Sequence, residues 1–372
     1  MNFPAFGVEA WLNERTNDAK LDISQSTVAS FTLEELLAID GKTTVQGFFT
    51  ALAKKPMDYG WIEGSPEFKA LVSAIYQNVA PENVLQTNGG TGANLLALLA
   101  LVEPGDHVIS FHPSYQQHYD IPRTLGAEVS LVQLREENNW NADIDELRAA
   151  IRPNTKLIAL CNANNPTGTI IEDSAMLEII DAARKVGAWI LVDEVFQSLD
   201  TSVKMTPIAD LYERGVSTNS ISKTYSVPGI RIGWIASGAE GAQMFRSLRD
   251  YTMICCGVLD NALAEHVLRN RAAVLERNRR IVSENLDIFT RWAEAESRIL
   301  LVPPKSVSVS LPRLDIPEDT ESFCLDLLRE TGVLLVPGSR FGMESYVRLG
   351  YCAHTETLRA GLAALSAYLR KF

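Results

Sequence analysis

The amino-acid sequence predicts an α/β protein with a mostly parallel sheet between helices, and three observations support this fold class. Strand-like and helix-like segments alternate over residues 65–236, as they do when helices connect parallel strands. The segments 156–161 and 189–193 are apolar almost throughout, as strands buried on both faces are. Several strand-like segments end in polar residues, and ligands bind at the carboxyl ends of such strands.

The alternation gives strands and helices in a regular order. Short runs rich in β-branched and apolar residues predict the strands, and apolar residues at helical spacing predict the helices. Strands are expected at 83–87, 106–111, 127–134, 155–161, 188–194, 216–222 and 231–237, and helices at 65–78, 93–102, 143–151 and 174–187. We therefore expect a sheet of the seven-stranded type with helices on both faces.

Beyond about residue 240 the pattern changes, which indicates a second unit. Long helices are expected over 247–295, strands at 307–314, 333–337 and 346–350, and further helices at 320–330 and 355–371. We predict a large domain of residues 46–240, extended by a linking helix to about residue 275. A smaller α+β domain is predicted from residues 1–45 and 276–372.

Composition and charge exclude several classes of protein. The 372 residues include 34 Lys and Arg against 46 Asp and Glu, a net charge of -12, so neither nucleic acid nor an anionic membrane is an expected partner. The longest apolar stretch, Leu95 to Val102, is shorter than the roughly 18 residues that span a bilayer. The N-terminal residues resemble no secretion signal, and a cytoplasmic location is expected. The five cysteines lack metal-ligand spacing, so no metal site is predicted.

Four predicted strand ends carry polar residues in a fixed order. They are Thr87-Asn88-Gly89, Asn164-Asn165, Asp193-Glu194 and Ser220-Ile221-Ser222-Lys223. With Pro-Gly-Ile-Arg231 after the last of them, this order resembles the signature of class I and II aminotransferases, the fold-type I enzymes that use pyridoxal 5′-phosphate (PLP). The resemblance extends from Tyr59 to Arg348 and implies the fold-type I architecture.

The resemblance places Lys223 and Asp193 at the centre of the chemistry. Lys223 corresponds to the lysine that forms a Schiff base with the cofactor aldehyde and then moves the Cα proton of the substrate. Asp193 would keep the ring nitrogen of the cofactor protonated, which makes the ring an electron sink. Asn165 would donate a hydrogen bond to the ring oxygen O3′ and border the substrate.

A second group of residues is expected to hold the rest of the cofactor. Glycines that open a helix admit close approach of a phosphate to free backbone N–H groups. By the resemblance, the cofactor contacts in this group are Gly89, Gly90, Thr91, Ser220, Ser222 and Arg231, with Tyr115 stacked on the ring. Tyr59 corresponds to a tyrosine that reaches the phosphate of the neighbouring subunit, which implies a homodimer with shared active sites.

The substrate side of the predicted site depends on an arginine. Arg348 corresponds to the family's arginine that binds the α-carboxylate of the substrate through two parallel hydrogen bonds. Arg340 lies nearby in the sequence and is the alternative. Either residue implies a small amino-acid substrate.

Two departures from the family pattern bear on the reaction. Phe196 replaces the tyrosine three residues after the ring aspartate, so a second hydrogen-bond donor to O3′ is missing from the cofactor site. The polar run Asp22 to Phe31, with Glu9 and its neighbours, resembles the start of capreomycidine synthase and related PLP enzymes that act on arginine or hydroxyarginine. This resemblance makes Glu9 and Ser24 candidate substrate contacts, with Glu9 facing a guanidinium. The alternative is that Glu9 is a solvent-exposed residue of a first helical turn.

The sequence therefore predicts a PLP-dependent enzyme that removes the Cα proton of an α-amino acid with Lys223. Transamination is the first expectation because it is the usual activity of the resembled family. Elimination and cyclisation of arginine or a hydroxylated arginine is the alternative, and oxidation of arginine is a third outcome. The substrate side chain stays open, since one arginine fixes only the carboxylate.

Overall fold

A computed structural model describes residues 3–372. The helices are α1 Gly7–Arg15, α2 Leu33–Leu37, α3 Val45–Leu52, α4 Pro66–Ser73, α5 Gly89–Leu101, α6 Gln117–Thr124, α7 Ile144–Ala150, α8 Asp173–Arg184, α9 Ile208–Leu211, α10 Ala239–Arg249, α11 Val258–Arg269, α12 Arg271–Ala295, α13 Thr320–Thr331 and α14 Thr355–Leu369. The strands are β1 Leu21–Asp22, β2 Val84–Thr87, β3 His107–His112, β4 Glu128–Gln133, β5 Thr155–Cys161, β6 Trp189–Asp193, β7 Gly215–Ser220, β8 Gly233–Ser237, β9 Ile299–Leu300, β10 Arg313–Leu314, β11 Val333–Leu334, β12 Val336–Pro337 and β13 Val347–Arg348.

Seven strands form the central sheet, in the order β2-β8-β7-β6-β5-β3-β4. The strands β4, β3, β5, β6 and β7 run parallel to one another, and β8 is antiparallel to both of its neighbours. Asp193 pairs in register with Cys161 on one side and with Thr218 on the other. The carboxyl ends of three adjacent strands therefore meet at one edge, and the predicted fold class is confirmed.

Helices cover both faces of the sheet because successive residues of a buried strand point to opposite sides. On one face, Leu191 and Val216 pack in a buried cluster with Leu96 of α5. On the other face, Ile190 packs with Ile179 of α8. The helix α6 was not expected from the sequence, because its residues Gln117–Thr124 are mostly polar and include an internal proline.

A second buried core lies outside the sheet and is formed by both ends of the chain. Trp11 of α1 and Phe323 of α13 belong to it, and β1 pairs in parallel with β11. The helix α12 joins the two cores, because Val274 packs with the sheet-side residues and Phe289 packs with the second core. Leu36, expected in the small domain, packs with the sheet-side residues. The predicted domain bounds stay a prediction.

The elements expected beyond residue 240 differ from the structure in detail. The long helices expected over 247–295 are the end of α10, which already begins at Ala239, and the helices α11 and α12, with breaks at residues 250–257 and at Asn270. Residues 250–257 leave the helix because the Arg249 side chain donates to the Ile254 carbonyl and Gly257 begins the next helix as its N-cap. Of the expected strand 307–314, Arg313–Leu314 pairs with β9, and Ser310 forms an isolated antiparallel bridge with Leu349.

The longest helix of residues 3–372 is α12, with 25 residues. Neither it nor another helix in the described part of the chain is long and apolar enough to cross a membrane.

Candidate active site

A cavity of about 780 Å³ opens at the carboxyl ends of the central strands. Most of the predicted site residues line it together. They are Glu9, Gly90, Thr91, Tyr115, Asn165, Asp193, Phe196, Ser220, Ser222, Lys223, Arg231 and Arg348. The sheet edge therefore collects residues that are distant in sequence, as the polar strand ends predict.

Lys223 follows β7 and points its amine toward the N-terminal part of the chain. Its Nζ donates to the Ser26 hydroxyl at 2.9 Å and lies 3.5 Å from the Thr27 hydroxyl. Burial lowers the pKa of the Lys223 amine to about 8, and the nearby Arg348 guanidinium acts in the same direction. A larger share of this amine is neutral near physiological pH than of an ordinary lysine, as a base or a nucleophile requires.

Asp193 ends β6 and is only 4% exposed. The Asn94 amide donates to one carboxylate oxygen at 2.6 Å, and the Val195 N–H donates to the other at 3.0 Å. Asn94 is oriented in turn, because it accepts from the Thr218 hydroxyl at 2.6 Å. Burial raises the pKa of Asp193, and these hydrogen bonds oppose the rise. A cation beside this carboxylate would offset its burial, and the protonated ring nitrogen of PLP meets that need.

Two neutral groups surround Asp193. His118, Cys161 and Asp193 are buried, and their nitrogen, sulfur and oxygen atoms lie within 4.8 Å of one another. Burial lowers the pKa of His118 to about 3 and raises the pKa of Cys161 to about 12. The imidazole and the thiol are therefore uncharged near neutral pH, and neither competes with the carboxylate for a positive partner.

The start of α5 forms a cradle that excludes side chains. Gly89 has a φ of +73°, and a Cβ there would lie 2.5 Å from Nη2 of Arg231. At Gly90, a Cβ would lie 2.8 Å from the Val195 side chain. Arg231 also approaches the Ser222 hydroxyl, with Nη1 at 3.5 Å. A phosphate group would fit here, because the helix start offers free N–H groups, Ser220 and Ser222 offer hydroxyls, and Arg231 offers a guanidinium.

Substituting Gly89 with alanine is expected to weaken PLP binding by about ten-fold, the effect of one displaced charge-assisted contact. The new methyl group would push Arg231 away from the cradle. Gly41→Ala is the matched control, because Gly41 has the same φ of +73° with open space around it. PLP titration followed by absorbance measures both variants. An unchanged affinity of Gly89→Ala, or an equal loss in Gly41→Ala, would contradict the cradle.

Arg348 ends β13 inside the cavity and is 3% exposed. Its Nη1 donates to the Asn165 side-chain oxygen at 3.4 Å, and its Nη2 donates to the Ser24 carbonyl at 3.2 Å. Its buried Nε has no hydrogen-bond partner within residues 3–372. Burial lowers the pKa of Arg348 to about 10, opposed by Glu9. Arg340, the alternative, is paired with Glu321 and does not line the cavity. A carboxylate would satisfy the free Nε of Arg348.

Two aromatic residues border the cavity. Phe196 is 3% exposed and packs with Ala163 and Val309, with no polar atom on its ring. Tyr115 lies 5.2 Å from the Phe6 ring between centroids. Burial raises the pKa of the Tyr115 phenol, so it is a neutral group.

Three predicted site residues do not line the cavity. Tyr59 is 76% exposed and borders a separate surface depression with Cys256. The Ser24 hydroxyl donates to Asp22 at 2.7 Å, so only its backbone reaches the site, through the carbonyl that holds Arg348. Gly89 lies behind the cradle, against Arg231.

Comparison with known proteins identifies the family. The family described as aminotransferase class I and II matches residues 37–365. The chain belongs to the class I and II aminotransferase family. Its fold is the fold-type I architecture, and its cofactor is pyridoxal 5′-phosphate. Three parts of the site fit that cofactor: the Asp193 carboxylate, the cradle at the start of α5, and the amine of Lys223.

Curated proteins are similar to this chain over most of its length. Capreomycidine synthase of Streptomyces vinaceus is 30% identical over 374 residues, covering 98% of this chain and 94% of that protein. An aspartate aminotransferase of Thermotoga maritima is 27% identical over 303 residues, covering 79% and 77%.

Solved structures give the same picture. A PLP-dependent aminotransferase of Streptococcus suis has a TM-score of 0.98 and 50% identity, covering 100% of this chain and 99% of that one. The PLP-dependent cyclase OrfR has a TM-score of 0.90 and 27% identity, covering 100% and 98%. A PLP-dependent aminotransferase and a PLP-dependent cyclase are therefore both similar to this chain in backbone structure.

Several residues of the site were missed by the sequence analysis. Asn94 lies one helical turn after Gly90, a spacing that could have shown that it faces the same side of α5. His118 lies on the unexpected helix α6, and Ser26 lies in a polar run where nothing marks one hydroxyl over another.

Proposed function

We propose that this family member binds an α-amino acid and removes its Cα proton with Lys223. One observation carries the proposal: the lysine amine with a lowered pKa, the buried Asp193 carboxylate and the guanidinium of Arg348 line the same cavity. An enzyme removes a Cα proton rapidly when a base, an electron sink and a group that orients the substrate are positioned around the same carbon.

Each group has one task in this proposal. When bound, PLP supplies the electron sink that weakens the Cα–H bond. Lys223 accepts the proton at Nζ, and Asp193 holds a proton on the ring nitrogen. Arg348 orients the α-carboxylate, and Asn165 donates to the ring oxygen.

The remaining cofactor contacts are proposed from the same geometry. Tyr115 covers the ring. The proposed phosphate contacts are Gly90, Thr91, Ser220, Ser222 and Arg231, which line the cavity, whereas Gly89 acts only by leaving space for Arg231.

The charges left over indicate the substrate side chain. The cavity-lining residues in the described chain include three cations, Lys223, Arg231 and Arg348, which already have tasks. Two further carboxylates line the same cavity. Asp120 is paired with Arg123, whereas Glu9 has no ion-pair partner within 4.0 Å among the described residues. A second carboxylate on the substrate would find no free cation there, whereas a guanidinium or ammonium would face the unpaired carboxylate of Glu9. We therefore propose a cationic amino acid of the arginine type as substrate.

Replacing Glu9 with glutamine tests this choice. We expect KM for arginine to rise about ten-fold, the effect of one lost charge-assisted hydrogen bond, while KM for a neutral amino acid such as norleucine does not change. Glu14→Gln is the control, because Glu14 lies on the same helix, pairs with Arg15 and does not line the cavity. Initial rates at varied substrate concentration measure both. Equal effects of Glu9→Gln on arginine and norleucine would contradict the contact.

The fate of the substrate after proton removal has two candidates. Transamination is the first, because aminotransferases prevail among the similar proteins. Elimination with cyclisation of a hydroxylated arginine is the second. It is favoured by Phe196, which cannot donate to O3′, and by the similarity to capreomycidine synthase over 98% of the chain.

Product masses separate the candidates. The holoenzyme is incubated with arginine and with hydroxylated arginine, each with and without a 2-oxo acid acceptor. A 2-oxo acid formed from arginine supports transamination, and a product that has lost water but keeps its α-amino group supports cyclisation. Oxygen consumption with arginine would replace both with oxidation. No reaction with any cationic amino acid would overturn the proposed substrate class.

We also propose a homodimer with shared sites. Tyr59 is exposed together with the apolar side chains of Met57 and Trp61. Tyr251 is 88% exposed and lies five residues before Cys256, which borders the same surface depression as Tyr59. Large apolar side chains grouped on a surface are typical of a protein interface. A second copy of the chain would cover them and bring Tyr59 to the neighbouring cradle.

A further inference from the structure

The chain that follows β1, which we call segment 22–28, lies directly beside Lys223. The Ser26 hydroxyl lies 2.9 Å from Nζ of Lys223, is only 8% exposed as a residue, and lines the cavity. The Thr27 hydroxyl is farther, at 3.5 Å. Ser26 is therefore the side chain that holds the free amine.

Segment 22–28 has little freedom to move. The Ser308 hydroxyl donates to the Ser26 carbonyl at 2.6 Å, and the Gly350 N–H donates to the Ile23 carbonyl at 2.9 Å. A Cβ at Gly350 would lie 1.6 Å from the Gln25 carbonyl oxygen. The segment therefore lies directly on the Gly350 backbone, and the position of the Ser26 hydroxyl is fixed by the fold.

None of the charged groups around Lys223 holds its amine in place of Ser26. Arg348 and Arg231 repel its ammonium form, and Glu9 and Asp193 attract it. Yet Lys223 forms no ion pair with a carboxylate within 4.0 Å in the described part of the chain. Its nearest hydrogen-bond partner is the uncharged hydroxyl of Ser26.

We propose that Ser26 is a positioning residue that holds the amine of Lys223 while the lysine is free of the cofactor. The inference rests on the proposed function. The neutral amine takes the Cα proton through its lone pair, so that a new N–H bond forms at Nζ as the Cα–H bond breaks, and the electron pair of the broken bond would be accepted by the electron sink that bound PLP supplies. The resulting ammonium donates a hydrogen bond to the Ser26 oxygen. Ser26 keeps its own proton, so no charge moves onto segment 22–28.

The first test uses the apoprotein and needs no turnover. Acetic anhydride modifies neutral amines, and peptide mass spectrometry follows the modification of Lys223 against pH. In Ser26→Ala the ammonium loses an acceptor, so the midpoint is expected to fall by about one pH unit, the effect of one hydrogen bond to a charged group. Ser26→Thr should keep the midpoint of the unchanged protein. Ser237→Ala is the control, because its hydroxyl bonds to Gly238 outside the cavity.

The second test uses the holoenzyme with arginine in deuterated water. For Ser26→Ala, we expect kcat for exchange of the Cα proton to fall about ten-fold, with KM unchanged. In Ser26→Thr, which keeps a hydroxyl, kcat should recover. If Ser26→Ala does not fold, Ser26→Gly replaces it as the hydroxyl-free variant.

An unchanged midpoint in every folded hydroxyl-free variant would overturn the proposal, and so would an equal shift in Ser237→Ala. The apoprotein result stands apart from the function. If arginine is not a substrate but the midpoint falls, the contact is supported and only the proposed function fails.

Discussion

Replacing Lys223 with alanine is expected to lower the rate of Cα proton exchange by about a thousand-fold or more, within the range that a positioned base contributes. No other amine lines the cavity among the described residues, so nothing replaces the base. The variant should still bind PLP without a covalent bond, because Asp193 and the cradle are intact. Deuterium incorporation into arginine measures the base, and absorbance after gel filtration measures the retained cofactor.

Lys204→Ala is the control for this result, because Lys204 is an exposed lysine paired with Asp173. Added methylamine should restore part of the exchange in Lys223→Ala by supplying a small base to the vacated space. Hybrids with a Tyr59→Ala chain test the shared sites, since one intact site per dimer should recover activity. Full exchange in purified Lys223→Ala would remove the lysine from the proposed role.

Replacing Asp193 with alanine is the second large effect, and we expect proton exchange to fall by about 10²–10³-fold, as when one preorganised electrostatic contact is removed. Without the carboxylate, the ring nitrogen loses the anion that keeps it protonated. Lys223 should still form its covalent bond to PLP, because the amine and the cradle do not depend on Asp193. Exchange rate and absorbance are measured together.

Asp200→Ala is the matched control, because Asp200 bonds to Ser202 in an exposed turn after the same strand. Asn94→Ala should have a smaller effect than Asp193→Ala, since Asn94 only orients the carboxylate. A loss in Asp193→Ala no larger than that in Asn94→Ala would contradict the role of the carboxylate.

The sheet and its polar edge could be predicted because both depend on local patterns. The strands β5 and β6 are apolar on both faces, and the strands that meet at the site end in polar residues that pack poorly in a core. Lys223 and Arg348 were predicted by a spacing typical of the family. Lys223 lies at the expected sheet edge because parallel strands bring their carboxyl ends together, whereas Arg348 reaches the cavity from the separate antiparallel pair β12-β13.

The residues that were missed depend on contacts between distant parts of the chain. Ser26 reaches Lys223 only because β1 pairs with β11 and Gly350 admits the Gln25 backbone. Ser24 was predicted as a substrate contact, but its hydroxyl and its backbone N–H both donate to the Asp22 carboxylate in a local turn. Such a turn is common for aspartate followed by serine, yet the residue left facing the site cannot be chosen without the long-range pairing.

The pairing of Leu21 with Val333 has a consequence for the order in which the protein can form during synthesis. Leu21 leaves the ribosome well before its partner Val333 and before Arg348. The central sheet, residues 84–237, can assemble long before either. A nascent chain therefore passes through a stage in which most residues proposed to bind PLP can already be folded while Arg348, proposed to bind the α-carboxylate of the substrate, has not yet been made. Synthesis of β11 to β13 is what docks the segment after β1 and completes the site.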